Sequence, residues 1–142
     1  MSDCVFCDIV AGAAPASIVY QDDVTLAFMD IRPITPGQIV VIPRKHAAYL
    51  ADMDEATGRH LFQTTMRMAQ AIRNSGVQCE GVNLFLADGE AAGQEVFHVH
   101  FLVFARFNGD PTRFAVDWLE KPSRKELDDM AARIRSAFER PS

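Results

Sequence analysis

Positive charge is scarce in this sequence: 14 Lys and Arg stand against 19 Asp and Glu in 142 residues, a net charge of −5. Binding to a nucleic-acid backbone needs a broad basic surface, so nucleic acid is excluded as a partner, and any bound phosphate must be held locally by oriented donors. Long hydrophobic runs are also missing. None approaches the roughly 20 residues of a membrane span, and the opening Met1-Ser2-Asp3 has neither the basic nor the apolar region of a signal peptide. A cytoplasmic protein with no membrane partner is expected. Cysteine is limited to three residues, an odd number that argues against a disulfide framework and leaves Cys4 and Cys7 for metal or redox chemistry. No internal repeat, low-complexity tract or linker divides the chain.

What the chain does contain is core material. Its 49% hydrophobic content suffices for one buried core, so a single domain over residues 1–142 is expected. Residues 17–20 (SIVY) and 24–29 (VTLAFM) flank Gln21-Asp22-Asp23 and read as an antiparallel hairpin. Gln38 to Ile42 follows the turn Pro36-Gly37 and is stopped by Pro43, the pattern of a buried strand. From Asp54 to about Asn74 the period becomes helical, with Leu61, Thr65, Met68 and Ile72 on one stripe behind the capping run Asp52-Met53-Asp54-Glu55. Strand character returns at Val82 to Leu86 and Val96 to Phe104, around a wide loop of small residues from Asp88 to Gln94. Ser123 to Glu126 is a capping box, and Leu127, Met130, Ala131, Ile134 and Phe138 form the packing stripe of a final helix. The sum is an α+β fold: an antiparallel sheet of about five strands with one long helix and a C-terminal helix.

Residues 93–104 (GQEVFHVHFLVF) carry the chemistry. Alternate residues of a strand share a face, so His98, His100 and Leu102 point one way while Val99, Phe101 and Val103 enter the core. A lone histidine there is more often structural; two on one face, just after Gly93, point to an anion site. Gly93 lets the backbone approach a ligand, and the N–H groups that follow can converge on a phosphate. His98 and His100 sit about 7 Å apart, too far for both to bind one metal ion. Cys4 and Cys7 have the Cys-x2-Cys spacing that places two thiolates on one tetrahedral ion. A redox pair and two incidental cysteines are the alternatives, although a redox pair is expected between a strand and a helix of a βαβ unit. Cys79 has no partner at suitable spacing and reads as a small buried hydrophobe.

Ala92-Gly93-Gln94-Glu95-Val96-Phe97-His98-Val99-His100-Phe101-Leu102 resembles the His-φ-His-φ-His-φ-φ signature of the histidine triad (HIT) superfamily. Cys4 to Gly12, Ala27 to Pro33 and Pro36 to His46 resemble it in the same order, over residues 4 to about 110, with 111–142 as a C-terminal extension. The resemblance implies a nucleotidyl hydrolase or transferase that cleaves dinucleoside polyphosphates or nucleoside phosphoramidates through a nucleotidyl-histidine intermediate and releases a nucleoside monophosphate such as AMP. His100 matches the nucleophile, its tautomer fixed by an Nδ1–H bond to a backbone carbonyl. Phe28 and Ile31 are implied for the base and Asp30 for the ribose. Gly93, Gln94, Glu95, Val96 and Leu102 are implied around the phosphate, with Glu95 where some relatives protonate the leaving group. A structural zinc ion on Cys4, Cys7, His46 and His98, and a homodimer, are implied too. Three positions depart from the pattern. Leu102 replaces the third histidine, Gln38 stands where histidine is frequent, and Ala87 where an amide is frequent. Reduced or altered turnover is the expectation, and a nucleotide-binding sensor with little turnover is the alternative.

Overall fold

Asp22 closes the first hairpin. Its Oδ1 accepts the backbone N–H groups of Val24 and Thr25 at 2.9 and 2.7 Å, an Asx-type turn that joins β1 (Ile18–Gln21) to β2 (Thr25–Met29). The computed structural model describes residues 2–140. Met1 of the acidic opening and residues 141 and 142 of the expected single domain lie outside them. The chain forms two compact units, one ending at Thr112 and one beginning at Arg113.

In the first unit β3 (Ile39–Pro43), β4 (Gly81–Phe85) and β5 (Phe101–Arg106) complete a five-stranded sheet in the order β1-β2-β3-β5-β4, with every pair antiparallel. A buried strand such as β3 reads as an unbroken apolar run because both faces are covered. On one face Ala27, Ile39, Val41 and Val103 meet Leu61, Met68 and Ile72 of the long helix α2 (Glu55–Asn74). Asp54 caps α2 by accepting the N–H of Thr57 at 2.8 Å. On the other face Leu26, Phe28, Val40 and Ile42 meet Phe6 of a short helix, α1 (Val5–Val10). That second layer covers the histidine face of the sheet.

The hairpin, the long helix and the α+β sheet match the sequence reading. The last strand does not begin where expected: β5 starts at Phe101, so His98 and His100 stand just before it. Its neighbour β3 ends at Pro43, which has no N–H to extend the ladder. Single bonds hold the chain there instead, from Val99 N–H to the Ala47 carbonyl and from His98 Nε2–H to the Pro43 carbonyl, both 2.8 Å. In the second unit α3 (Arg124–Glu139) is capped by Ser123 as expected, but it contains no buried residue, so its apolar stripe is exposed rather than packed. No described helix is long and apolar enough to cross a membrane.

Candidate active site and metal centre

A cleft of about 530 Å³ opens on the α1 face of the sheet, a size suited to a small ligand. Of the residues expected around a nucleotide, Phe28, Asp30, Ile31, Gly93, Glu95, Val96, His100 and Leu102 line it. Gln94 does not. Its side chain is buried and turned away, with Oε1 accepting Gly89 N–H at 2.8 Å and Nε2 donating to the carbonyls of Ala48 and Val96 at 2.8 and 3.1 Å. Gln94 therefore braces the loop from within. Gly93, in the left-handed region at φ +95°, makes the bend that other residues adopt only with strain. Beyond that bend the backbone N–H groups of Glu95 and Val96 donate to no partner among the described residues. Glu95 and Val96 line the same cleft as His100.

The imidazole of His100 is oriented by its neighbour two residues back, for Nδ1–H donates to the carbonyl of His98 at 2.7 Å. This fixes the tautomer and leaves Nε2 with the lone pair available to a ligand. Glu95 is exposed and lines the same cleft. Asp30 is held at both oxygens: Oδ1 accepts Arg32 N–H at 2.8 Å and Oδ2 accepts Gln38 Nε2–H at 2.6 Å. Phe28 is buried whereas Ile31 stands at the rim, 93% exposed.

Leu102 completes an apolar row. It pairs with Val40 of β3 and Phe85 of β4, and Val40 pairs with Phe28 of β2. Directly opposed residues share a face, so Phe28, Val40, Leu102 and Phe85 form one apolar strip across the cleft floor, and Ala87 adds no polar group beside it. The sequence reading missed the opposite wall, made by Val5, Phe6 and Ile9 of α1. The i, i+3, i+4 spacing of Phe6, Ile9 and Val10 was the available signal.

Cys4, Cys7, His46 and His98 come together as expected, with their ligand atoms all within 4.8 Å of one another. Cys4 Sγ lies 3.3 Å from His98 Nδ1, Cys7 Sγ 3.3 Å from His46 Nδ1, and the two Nδ1 atoms 3.3 Å apart. A tetrahedral ion with bonds of about 2.0 Å to nitrogen and about 2.3 Å to sulfur requires edges of roughly 3.3 to 3.8 Å. The donor set fits zinc. Because His98 gives its Nε2–H to the Pro43 carbonyl, its Nδ1 presents a lone pair to the cluster. Burial lowers the pKa of His98, and the charges of His46 and His100 add to the effect. Burial and the adjacent Cys4 push the Cys7 thiol up to about 11, a barrier to ionisation that a divalent cation removes. Cys79, partly buried against the α2 side of the core, takes no part.

A family profile described as the HIT domain matches residues 11–109. An uncharacterised HIT-like protein of Borreliella burgdorferi is 41% identical over 112 residues, covering 78% of this chain and 80% of that protein. Adenylylsulfatase HINT3 of Arabidopsis thaliana is 32% identical over 142 residues, 98% of this chain and 69% of its own length. A solved structure of a zinc-bound histidine triad family protein from Mycobacterium smegmatis is 41% identical, with a TM-score of 0.76 over 95% of this chain and 97% of that one.

Proposed function

This chain belongs to the HIT family, and on that premise we propose that it is a nucleotidyl hydrolase or transferase in which His100 attacks the α-phosphorus of a nucleoside phosphate derivative. One observation carries the reading: the His98 carbonyl binds Nδ1–H of His100 at 2.7 Å, so the free lone pair is on Nε2 of a ring lining the cleft. Attack forms a bond from Nε2 to phosphorus as the bond to the leaving group breaks; Glu95, which lines the cleft, relays a proton from solvent to the leaving group, and water gives up a proton in the second step. Water then cleaves the nucleotidyl-histidine, releasing the nucleoside monophosphate and restoring the imidazole. The N–H groups of Glu95 and Val96, following Gly93, stabilise charge on the phosphoryl oxygens.

Phe28 and Ile31 hold the base, and Asp30 accepts the ribose hydroxyls. Gln94 acts through the loop it braces, and Leu102 forms part of the floor. Cys4, Cys7, His46 and His98 hold a structural zinc ion, which ties α1 to the segment carrying His100. A zinc-bound relative supports the metal assignment, and an adenylylsulfatase relative supports nucleotidyl chemistry at the cleft. The family resemblance further supports a homodimer, and the lack of a long apolar run a cytoplasmic one.

The test is to incubate pure protein with adenosine 5′-phosphoramidate and, separately, diadenosine tetraphosphate, and to follow AMP by chromatography. AMP release that is lost in His100→Ala is the expected result; equal rates in both proteins overturn the mechanism. A second reading, a nucleotide sensor, is favoured by the apolar Leu102 and Ala87 in the cleft. Tight AMP binding without turnover of either compound would select it.

A further inference from the structure

Gln38 is almost completely enclosed, 1% exposed, yet its amide borders the cleft. Both ends of that amide are occupied. Oε1 accepts Ile34 N–H at 2.8 Å while Nε2 donates to Asp30 Oδ2 at 2.6 Å. Only one orientation of the amide satisfies these partners, because an N–H cannot bond an amide NH2 as acceptor, nor a carboxylate an amide oxygen as donor. Asp30 also gives its own backbone N–H to the Gln38 carbonyl at 3.0 Å, and its Oδ1 accepts Arg32 N–H at 2.8 Å.

We infer that Gln38 is a positioning residue that sets ribose selectivity, holding the Asp30 carboxylate in one rotamer for the two ribose hydroxyls; the inference rests on the ribose role proposed for Asp30. Each carboxylate oxygen has one fixed donor and keeps acceptor capacity for one hydroxyl. A carboxylate already ordered by Gln38 and Arg32 loses little further freedom when ligand binds. The amide is uncharged at all ordinary pH values, so the clamp neither neutralises Asp30 nor titrates.

The experiment compares binding of AMP and 2′,3′-dideoxy-AMP to the intact protein by calorimetry, for wild type, Asp30→Ala, Gln38→Met and Gln38→Leu. Wild type is expected to favour AMP by about tenfold or more, the scale of hydrogen bonds to a charged acceptor. Asp30→Ala abolishes that preference. Gln38→Met keeps close to the size of the side chain, removes the donor to Asp30 and places no charge beside its carboxylate, which makes it the variant expected to fold if Gln38→Leu does not. In either variant the preference falls to within about threefold of unity, while dideoxy-AMP binding stays close to wild type. Equal weakening of both ligands, or a wild-type ratio in folded Gln38→Met, overturns the inference and leaves the ribose role of Asp30 intact. No preference in wild type overturns the ribose role itself.

Discussion

The ring of Phe6 stands edge-on to the imidazole of His100, centroids 5.1 Å apart and planes at 86°. The same ring meets His98 at 5.8 Å and Phe28 at 5.4 Å. Since Phe6 lies between Cys4 and Cys7 on a single turn, one side chain touches a proposed zinc ligand, the proposed nucleophile and the proposed base wall of the cleft. Helix α1 has only six residues, too few to be stable alone. Its position therefore depends on the Phe6 contacts and on the Cys4 and Cys7 donors.

Metal removal is accordingly expected to act at a distance from the metal. Stripping zinc with a chelator should lower the thermal midpoint and weaken AMP binding, and zinc should restore both. Phe6→Ala should cost about 3 kcal/mol of stability, as for other buried aromatic truncations, and weaken AMP binding even with zinc retained. Calorimetry with and without chelator checks both, and an unchanged midpoint after complete zinc loss would contradict this coupling.

Acid stability should be governed by two carboxylates outside the cleft. The Arg106 guanidinium, at 2.8 and 3.1 Å, and then the Phe107 N–H hold the Asp110 carboxyl well below the usual range. At Asp22 burial acts upward, but the His60 ring, the N–H groups of Thr25 and Val24 and the Tyr20 hydroxyl outweigh it, so the carboxyl is again well below its ordinary value. A carboxyl depressed in the folded state stabilises above its unfolded pKa of about 3.9, and that contribution is lost as pH falls through the folded value. The urea midpoint is thus expected to owe no slope to these groups between about pH 5 and 7, and to drop below about pH 4. Asp110→Asn should lower the midpoint at pH 7 and flatten the acid limb; an unaltered acid limb in this variant would remove Asp110 from the account.

Periodicity made much of this legible. The stripe of Leu61, Met68 and Ile72 is the buried face of α2, and the alternation around His98 and His100 survives although the regular strand begins only at Phe101. Helix α1 was hidden because six residues give too short a window for a period to stand out. Gln94 was misplaced for a different reason. A motif fixes where the backbone runs, but the side chain follows local unpaired groups, here Gly89 N–H and the carbonyls of Ala48 and Val96.

That bracing makes Gln94 a sensitive position although it does not line the cleft. Gln94→Ala leaves one N–H and two carbonyls without their partner, a loss of about 2 kcal/mol when solvent replaces only part of it. The loop carrying the free N–H groups of Glu95 and Val96 should loosen, seen as faster amide hydrogen exchange at both residues and weaker AMP binding. Exchange rates identical to wild type would show that the loop holds its shape without the amide.

Leu102 offers the sharpest separation of catalysis from packing. Its neighbours Val40 and Phe85 are apolar on both sides, so Leu102→His should cost about 1 to 2 kcal/mol of stability. The new imidazole would add a donor to the cleft floor near His100. An optimally preorganised donor to a developing oxyanion is worth roughly 10²–10³ in rate; one placed between apolar neighbours should give less, about tenfold in kcat. Measured together, a lower melting temperature with faster release of AMP identifies Leu102 as the residue that limits turnover. If the variant melts lower and is no faster, the missing donor is not what sets the rate, and the apolar floor then serves the leaving group rather than the phosphoryl oxygens.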